Sequence, residues 1–136
     1  MVDGDIVLCG GRDGGKTTGS ERTICRKLVD TGEGLSWIHY ATLAHPRSEH
    51  TSWVSPRGLL LFGSSGYESV TDSVELVIPA ATGQVLFQDS RITMFMCSIQ
   101  FENFVFLTGG VRQGELVGLQ NVYEFKFEVC LFWFSN

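Results

Sequence analysis

Three apolar runs in this chain end in the same kind of corner. Ile6–Gly11 reads IVLCGG, Leu59–Ser64 reads LLLFGS and Phe104–Gly110 reads FVFLTGG, with steps of 53 and 46 residues from corner to corner. Each corner opens into a polar, Gly-bearing loop, and each loop leads to another strand-like run: Thr23–Val29, Ser73–Ile78 and Asn121–Glu128. A chain that leaves an apolar strand and turns sharply against its neighbour needs positive φ and no Cβ at the close approach, which is what Gly supplies. Ser64 stands where the other two corners carry a second Gly, so the middle corner is predicted to turn differently. A unit of about 46–53 residues with small residues after an apolar strand falls in the range of propeller repeats.

The rest of the composition agrees with an all-β chain. Its 136 residues suit one domain, and 43% hydrophobic residues can build a core. There are 16 Gly, 10 Phe and only 3 Pro, with many β-branched residues and no run that reads as a capped helix. The segment Glu21–Val29 could be forced into a helix, but Thr23, Ile24, Cys25 and Val29 are poor helix formers. Period-2 alternation and turn signals place strands near Asp5–Cys9, Thr23–Val29 and Leu35–Tyr40 in a first unit. A second unit has strands near Glu49–Val54, Leu59–Phe62, Ser73–Ile78 and Gln84–Gln88. The third has them near Ile92–Gln100, Phe104–Thr108, Asn121–Phe127 and Cys130–Phe134. The expected core includes Leu59, Leu61, Val74, Leu76, Ile99, Val105, Leu107, Val122 and Phe125, with Trp37 and Trp53 packed between units.

At Pro46-Arg47, His50, Leu59–Gly63 and Val74–Val77 the second unit resembles a kelch repeat. The third unit matches the same pattern at Arg91, Phe104–Leu107, Gly109-Gly110, Asn121 and Val122-Tyr123, and the first at Ile6–Leu8, Gly10-Gly11 and Trp37. The first unit begins at the pattern's second strand, and units two and three lack its Trp. The resemblance implies a partial kelch-type β-propeller of antiparallel four-stranded blades. Blade 1 would span about 1–44, blade 2 about 45–90 and blade 3 about 91–136, as part of a longer propeller. It also implies a non-catalytic module for binding other proteins.

Other chemistries fit less well. Gly10–Thr17, GGRDGGKT, follows an apolar strand and matches G-x-x-x-x-G-K-T; as a P-loop it would make the chain a small nucleotide-binding protein, Lys16 reaching phosphates and Thr17 holding Mg²⁺. That site needs a helix directly afterwards, and Thr18-Gly19-Ser20 followed by β-branched residues does not provide one. His39, His45 and His50 have no Cys or carboxylate at metal-ligand spacing. Cys9, Cys25, Cys97 and Cys130 are not in CxxC spacing and read as buried free thiols, with disulfides in an oxidising compartment as the alternative. No cofactor is implied.

A net charge of −5 without a cluster of Lys and Arg argues against nucleic acid. No apolar run is long enough for a membrane helix. The opening MVDGDIVLCGG does not read as a signal peptide and the chain has no N-glycosylation sequon, which favours the cytoplasm. Function is therefore expected at the corner loops Arg12–Arg22, Ser64–Asp72 and Val111–Gln120, where Arg12, Arg22, Tyr67, Glu68 and Arg112 are the candidate binding residues. The expected partner is a protein. The bare faces of a partial array call for missing blades or for self-association.

Overall fold

The structure is a computed structural model that describes residues 4–12, 22–64, 72–102, 104–111 and 122–126. Among them there is no helix. The chain forms three consecutive antiparallel meanders. The first sheet contains β1 (Val7–Cys9), β2 (Arg22–Asp30) and β3 (Leu35–Arg47), paired in that order. The second contains β4 (Thr51–Ser55), β5 (Gly58–Phe62), β6 (Ser73–Val77) and β7 (Gln84–Gln88). The third contains β8 (Met94–Phe101), β9 (Phe104–Val111) and β10 (Val122–Lys126), with β9 in the middle. Within the described residues the strands follow the alternation and turn signals of the sequence closely, and the segment after Glu21 is a strand, as its β-branched residues require; the strand expected near Cys130–Phe134 lies outside them.

One boundary differs by more than a few residues. β3 does not stop near Tyr40 but runs on to Arg47. Ala41 and Leu43 turn one side of this extension into the core. Register shifts in the β2–β3 pairing around Ile24–Arg26 let the two strands stay together over that length. Arg47 therefore closes a strand of the first sheet instead of opening one in the second.

The core lies in two layers, one on each side of the second sheet. Cys9, Cys25, Tyr40, Ala41 and Leu43 of the first sheet pack on Leu59, Leu61 and Val77 of the second. Leu60, Phe62, Val74, Leu76 and Trp53 point the opposite way and meet Ile92, Met96, Val105 and Leu107 at the third. The run Leu59–Phe62 is apolar at every position because successive side chains serve both layers. Two expected core residues lie elsewhere: Ile99 is 63% exposed and Val122 66%. Both stand on the third sheet's far face, Ile99 opposite Phe106 and Val122 opposite Thr108. Trp53 is buried as expected, whereas Trp37 is 44% exposed on the far face of the first sheet. The side chain of Phe125 lies outside the described residues.

The three corners coincide structurally as well as in sequence. Gly10, Gly63 and Gly109 have φ of 62°, 72° and 74°, and Gly11 and Gly110 follow at 98° and 97°. Ser64 is not among the residues with positive φ, so the middle corner does turn differently. Its hydroxyl is buried and accepts a hydrogen bond from the Ser48 N–H at 3.4 Å.

The expectation of free thiols at Cys9 and Cys25 is corrected: the two sulfurs form a disulfide. Gly10 N–H bonds Ile24 and Leu28 N–H bonds Ile6 across the β1–β2 ladder, which leaves Cys9 and Cys25 as a directly opposed pair of the non-hydrogen-bonded kind. Such pairs bring side chains closest together, here with Cα atoms 4.0 Å apart. Disulfides persist where the surroundings are oxidising. Cys97 is a free, exposed thiol, and Cys130 lies outside the described residues.

Candidate functional site

Among the described residues the most heavily engaged polar group is Arg47. Its side chain is fully buried, and so is that of Glu75 on the facing side of β6. Arg47 Nε donates to Glu75 Oε2 at 2.7 Å. Nη2 donates to Ser73 Oγ at 2.6 Å, and Nη1 to the carbonyls of Gly63 at 3.0 Å and Ser73 at 3.4 Å. The other carboxylate oxygen, Glu75 Oε1, accepts the Ala44 N–H at 2.6 Å. A buried ion pair is tolerable only when its remaining donors and acceptors are engaged in this way. Gly83 is part of the arrangement, since a Cβ there would overlap Glu75 Oε1. The guanidinium thus belongs to the first sheet by chain and to the corner of the second by contact.

The Arg47 backbone completes the link. Its carbonyl accepts the Gly11 N–H at 2.7 Å, so one residue touches the corners of two sheets. Further along, Ser48 meets Ser64, and the Glu49 carbonyl accepts the Phe95 N–H at 2.9 Å. Met94 pairs with Val111 just beyond the third corner. The three corners are therefore strung along one edge of the stack by the segment from Arg47 to Glu49 and its contacts.

Arg12 and Arg22 flank the neck of the first corner loop: the Arg22 N–H donates to the Gly11 carbonyl at 2.9 Å. Both side chains are exposed. Arg12 reaches Glu49 at 3.8 Å, a separation at which a surface pair contributes little to stability but still orients the side chain. Tyr67, Glu68 and Arg112, with Lys16 and Thr17 of the GKT segment, lie outside the described residues. The described part of the Gly10–Thr17 stretch is the corner itself, and Arg22 already belongs to a strand.

The sequence likens Arg91 to Arg47, yet the two are placed differently. The Arg91 side chain is half-exposed and held by Asp89, which accepts from both its guanidinium and its backbone N–H. The hydrogen bond from the guanidinium keeps the Asp89 carboxyl below its ordinary range. The buried role of Arg47 needs a facing carboxylate, and only the distant Glu75 marks that in the sequence.

His50 belongs to the kelch-like pattern in sequence, and its burial is visible only in the structure. It sits behind the first corner, its Cε1 close to Gly10. Its Nδ1 is buried without a hydrogen-bond partner among the described residues. Burial, and after it the Arg47 charge, lowers its pKa from 6.5 to about 4. Between those values the unfolded chain binds a proton that the folded chain does not, so this residue makes stability fall as pH drops from about 6.5 to about 4 and contributes no slope above that window. The full effect is on the order of 3 kcal/mol. Carboxylates titrate over part of the same window, so the expected signature is a difference: His50→Gln loses less melting temperature than the parent between neutral pH and the lower end. Parallel losses in the two proteins would show that His50 is not held neutral by the fold.

Among the described residues no group of three or more His, Cys, Asp or Glu gathers as a metal site. No protein-family model matches the chain, and a search of curated proteins finds no significant relative.

Proposed function

We propose that this chain is a non-catalytic protein-recognition module built as part of a kelch-type propeller, with the corner rim as its binding edge. The observation that carries this reading is the coincidence of the three corners: Gly10-Gly11 follow β1, Gly63 follows β5 and Gly109-Gly110 lie at the end of β9, and the bonds of the Arg47–Glu49 segment bring them along one edge. Loops leaving adjacent corners would present a composite surface on a scaffold fixed by packing. Arg12, Lys16, Arg22 and Arg112 fall in or beside these loops together with Asp13, Glu21, Glu68, Asp72 and Glu115, a mixed-charge surface that suits a partner of complementary charge pattern. Tyr67 and Glu68 belong to the same rim in sequence. The non-catalytic part of the reading is supported by the pair Arg47–Glu75, the strongest polar constellation described. It is fully buried and committed to the scaffold.

The test compares the two ends of the stack. Alanine substitutions at Arg12, Arg22, Tyr67 and Arg112 are set against substitutions at Glu33 and Arg57, which occupy the turns at the far ends of β2 and β5. A partner first identified with the parent chain should bind the rim variant at least about tenfold more weakly and the far-end variant within about twofold. The reverse pattern would place recognition on the opposite edge.

A further inference from the structure

Among the described residues the second sheet is covered on both sides, whereas the first and third each leave one apolar face bare. Aligning the sheets on Gly10, Gly63 and Gly109 shows what those faces are. Leu59 and Leu61 of β5 pack back on the first sheet, and Val105 and Leu107 of β9 pack back on the second. The matching positions of β1 are Ile6 and Leu8, which are 51% and 60% exposed. Leu60 and Phe62 pack forward on the third sheet. The matching positions of β9 are Phe106 and Thr108, on the face that carries exposed Ile99, Phe101 and Val122. The bare front of the first sheet and the bare back of the third are thus the two halves of one kind of interface, already formed twice inside the chain.

Each half extends well beyond one strand. On the front, Ile24 lies opposite Gly10 across the ladder, and Trp37 lies opposite Leu28 beside Ile6, so the apolar surface crosses all three strands. At the back, the Phe104 and Phe106 rings are stacked with centroids 6.3 Å apart, next to Ile99 and Phe101. Charged residues stand among the apolar ones on both faces: Arg26 is opposite Leu8 on the front, and Glu124 and Lys126 are opposite Phe106 and Phe104 on the back. Contiguous apolar surface of this kind marks an interaction site.

We propose that the occupant is a second copy of this chain, the front of each copy packing on the back of the other. A heterologous contact of this type closes if the rotation between sheets permits. Two copies form a ring of six sheets, three from each, within the range of about four to eight in which antiparallel sheets close radially. The proposal stands on the repetition of sheet faces and is independent of what the corner rim binds.

The experiment measures mass in solution by sedimentation from about 1 to 100 μM, a range that spans moderate dimer affinities. The parent chain is compared with Leu8→Glu on the front and Ile99→Glu on the back. Both side chains are exposed, so the fold should survive, as circular dichroism will show. The parent should be a dimer. Each variant alone should be monomeric, with the dissociation constant raised at least about 100-fold by the buried charge. An equimolar mixture of the two should associate again, because one intact front then meets one intact back. Alkylation of Cys97, which shares the back face with Ile99, should slow at least about tenfold across the same concentration range in the parent, read by peptide mass. This readout needs no substitution. A parent that stays monomeric with unchanged Cys97 reactivity overturns the proposal, as does a dimer broken by only one of the two substitutions, which would mean like faces meeting. Growth beyond two copies would overturn closure of the ring.

Discussion

Glu75→Ala should cost about 3–5 kcal/mol of folding stability, as a lowered urea midpoint. The substitution leaves Arg47 charged, fully buried and without its carboxylate, and removes the acceptor of the Ala44 N–H. Small domains have only about 5–15 kcal/mol in total, so the variant should be largely unfolded under mildly denaturing conditions. The size of the loss comes from stranding the guanidinium, not from the pair's net contribution. Removing both charges with Arg47→Met and Glu75→Leu should therefore recover much of it, since a buried pair is often no better than a well-packed apolar replacement. If Glu75→Ala alone shifts stability by less than about 1 kcal/mol, water reaches the guanidinium and the buried link between the sheets is not as described.

Gly10→Ala should rank close behind, at about 3 kcal/mol or more. Two effects combine at this position. With φ at 62°, any L side chain is strained, and a Cβ would overlap the Arg47 carbonyl oxygen, a backbone atom that cannot rotate away. Relief would require moving the carbonyl that accepts the Gly11 N–H, and with it the residue that joins two corners. Gly32→Ala is the matched control: its φ is also positive, at 81°, but its Cβ would meet nothing within 4 Å. That variant should show the conformational cost alone, about 1–2 kcal/mol. Equal losses in the two thermal melts would mean that the close approach at Gly10 contributes nothing.

The amino-acid sequence determined the strands and the order of the sheets. Alternation along Ser73–Leu76, the continuous apolar run Leu59–Phe62 and the Gly corners are local signals, set by side-chain period and by which residues tolerate positive φ. They do not depend on what the sheet later packs against. Even the different turn at Ser64 was legible, because the missing second Gly is visible in the chain. The tertiary structure decided which apolar side chains are buried. Ile99 and Leu107 look alike in sequence, but they stand on opposite faces of the third sheet, and among the described residues only the face of Leu107 has a neighbouring sheet. It also decided the pairing of distant groups. Cys9 meets Cys25 because a ladder register opposes them. Arg47 meets Glu75 because two sheets stack, while Arg91 stays at the surface on Asp89. His50 is held neutral by burial and by the Arg47 charge. Burial and charge pairing depend on contacts between residues far apart in the chain, and no local pattern encodes those contacts.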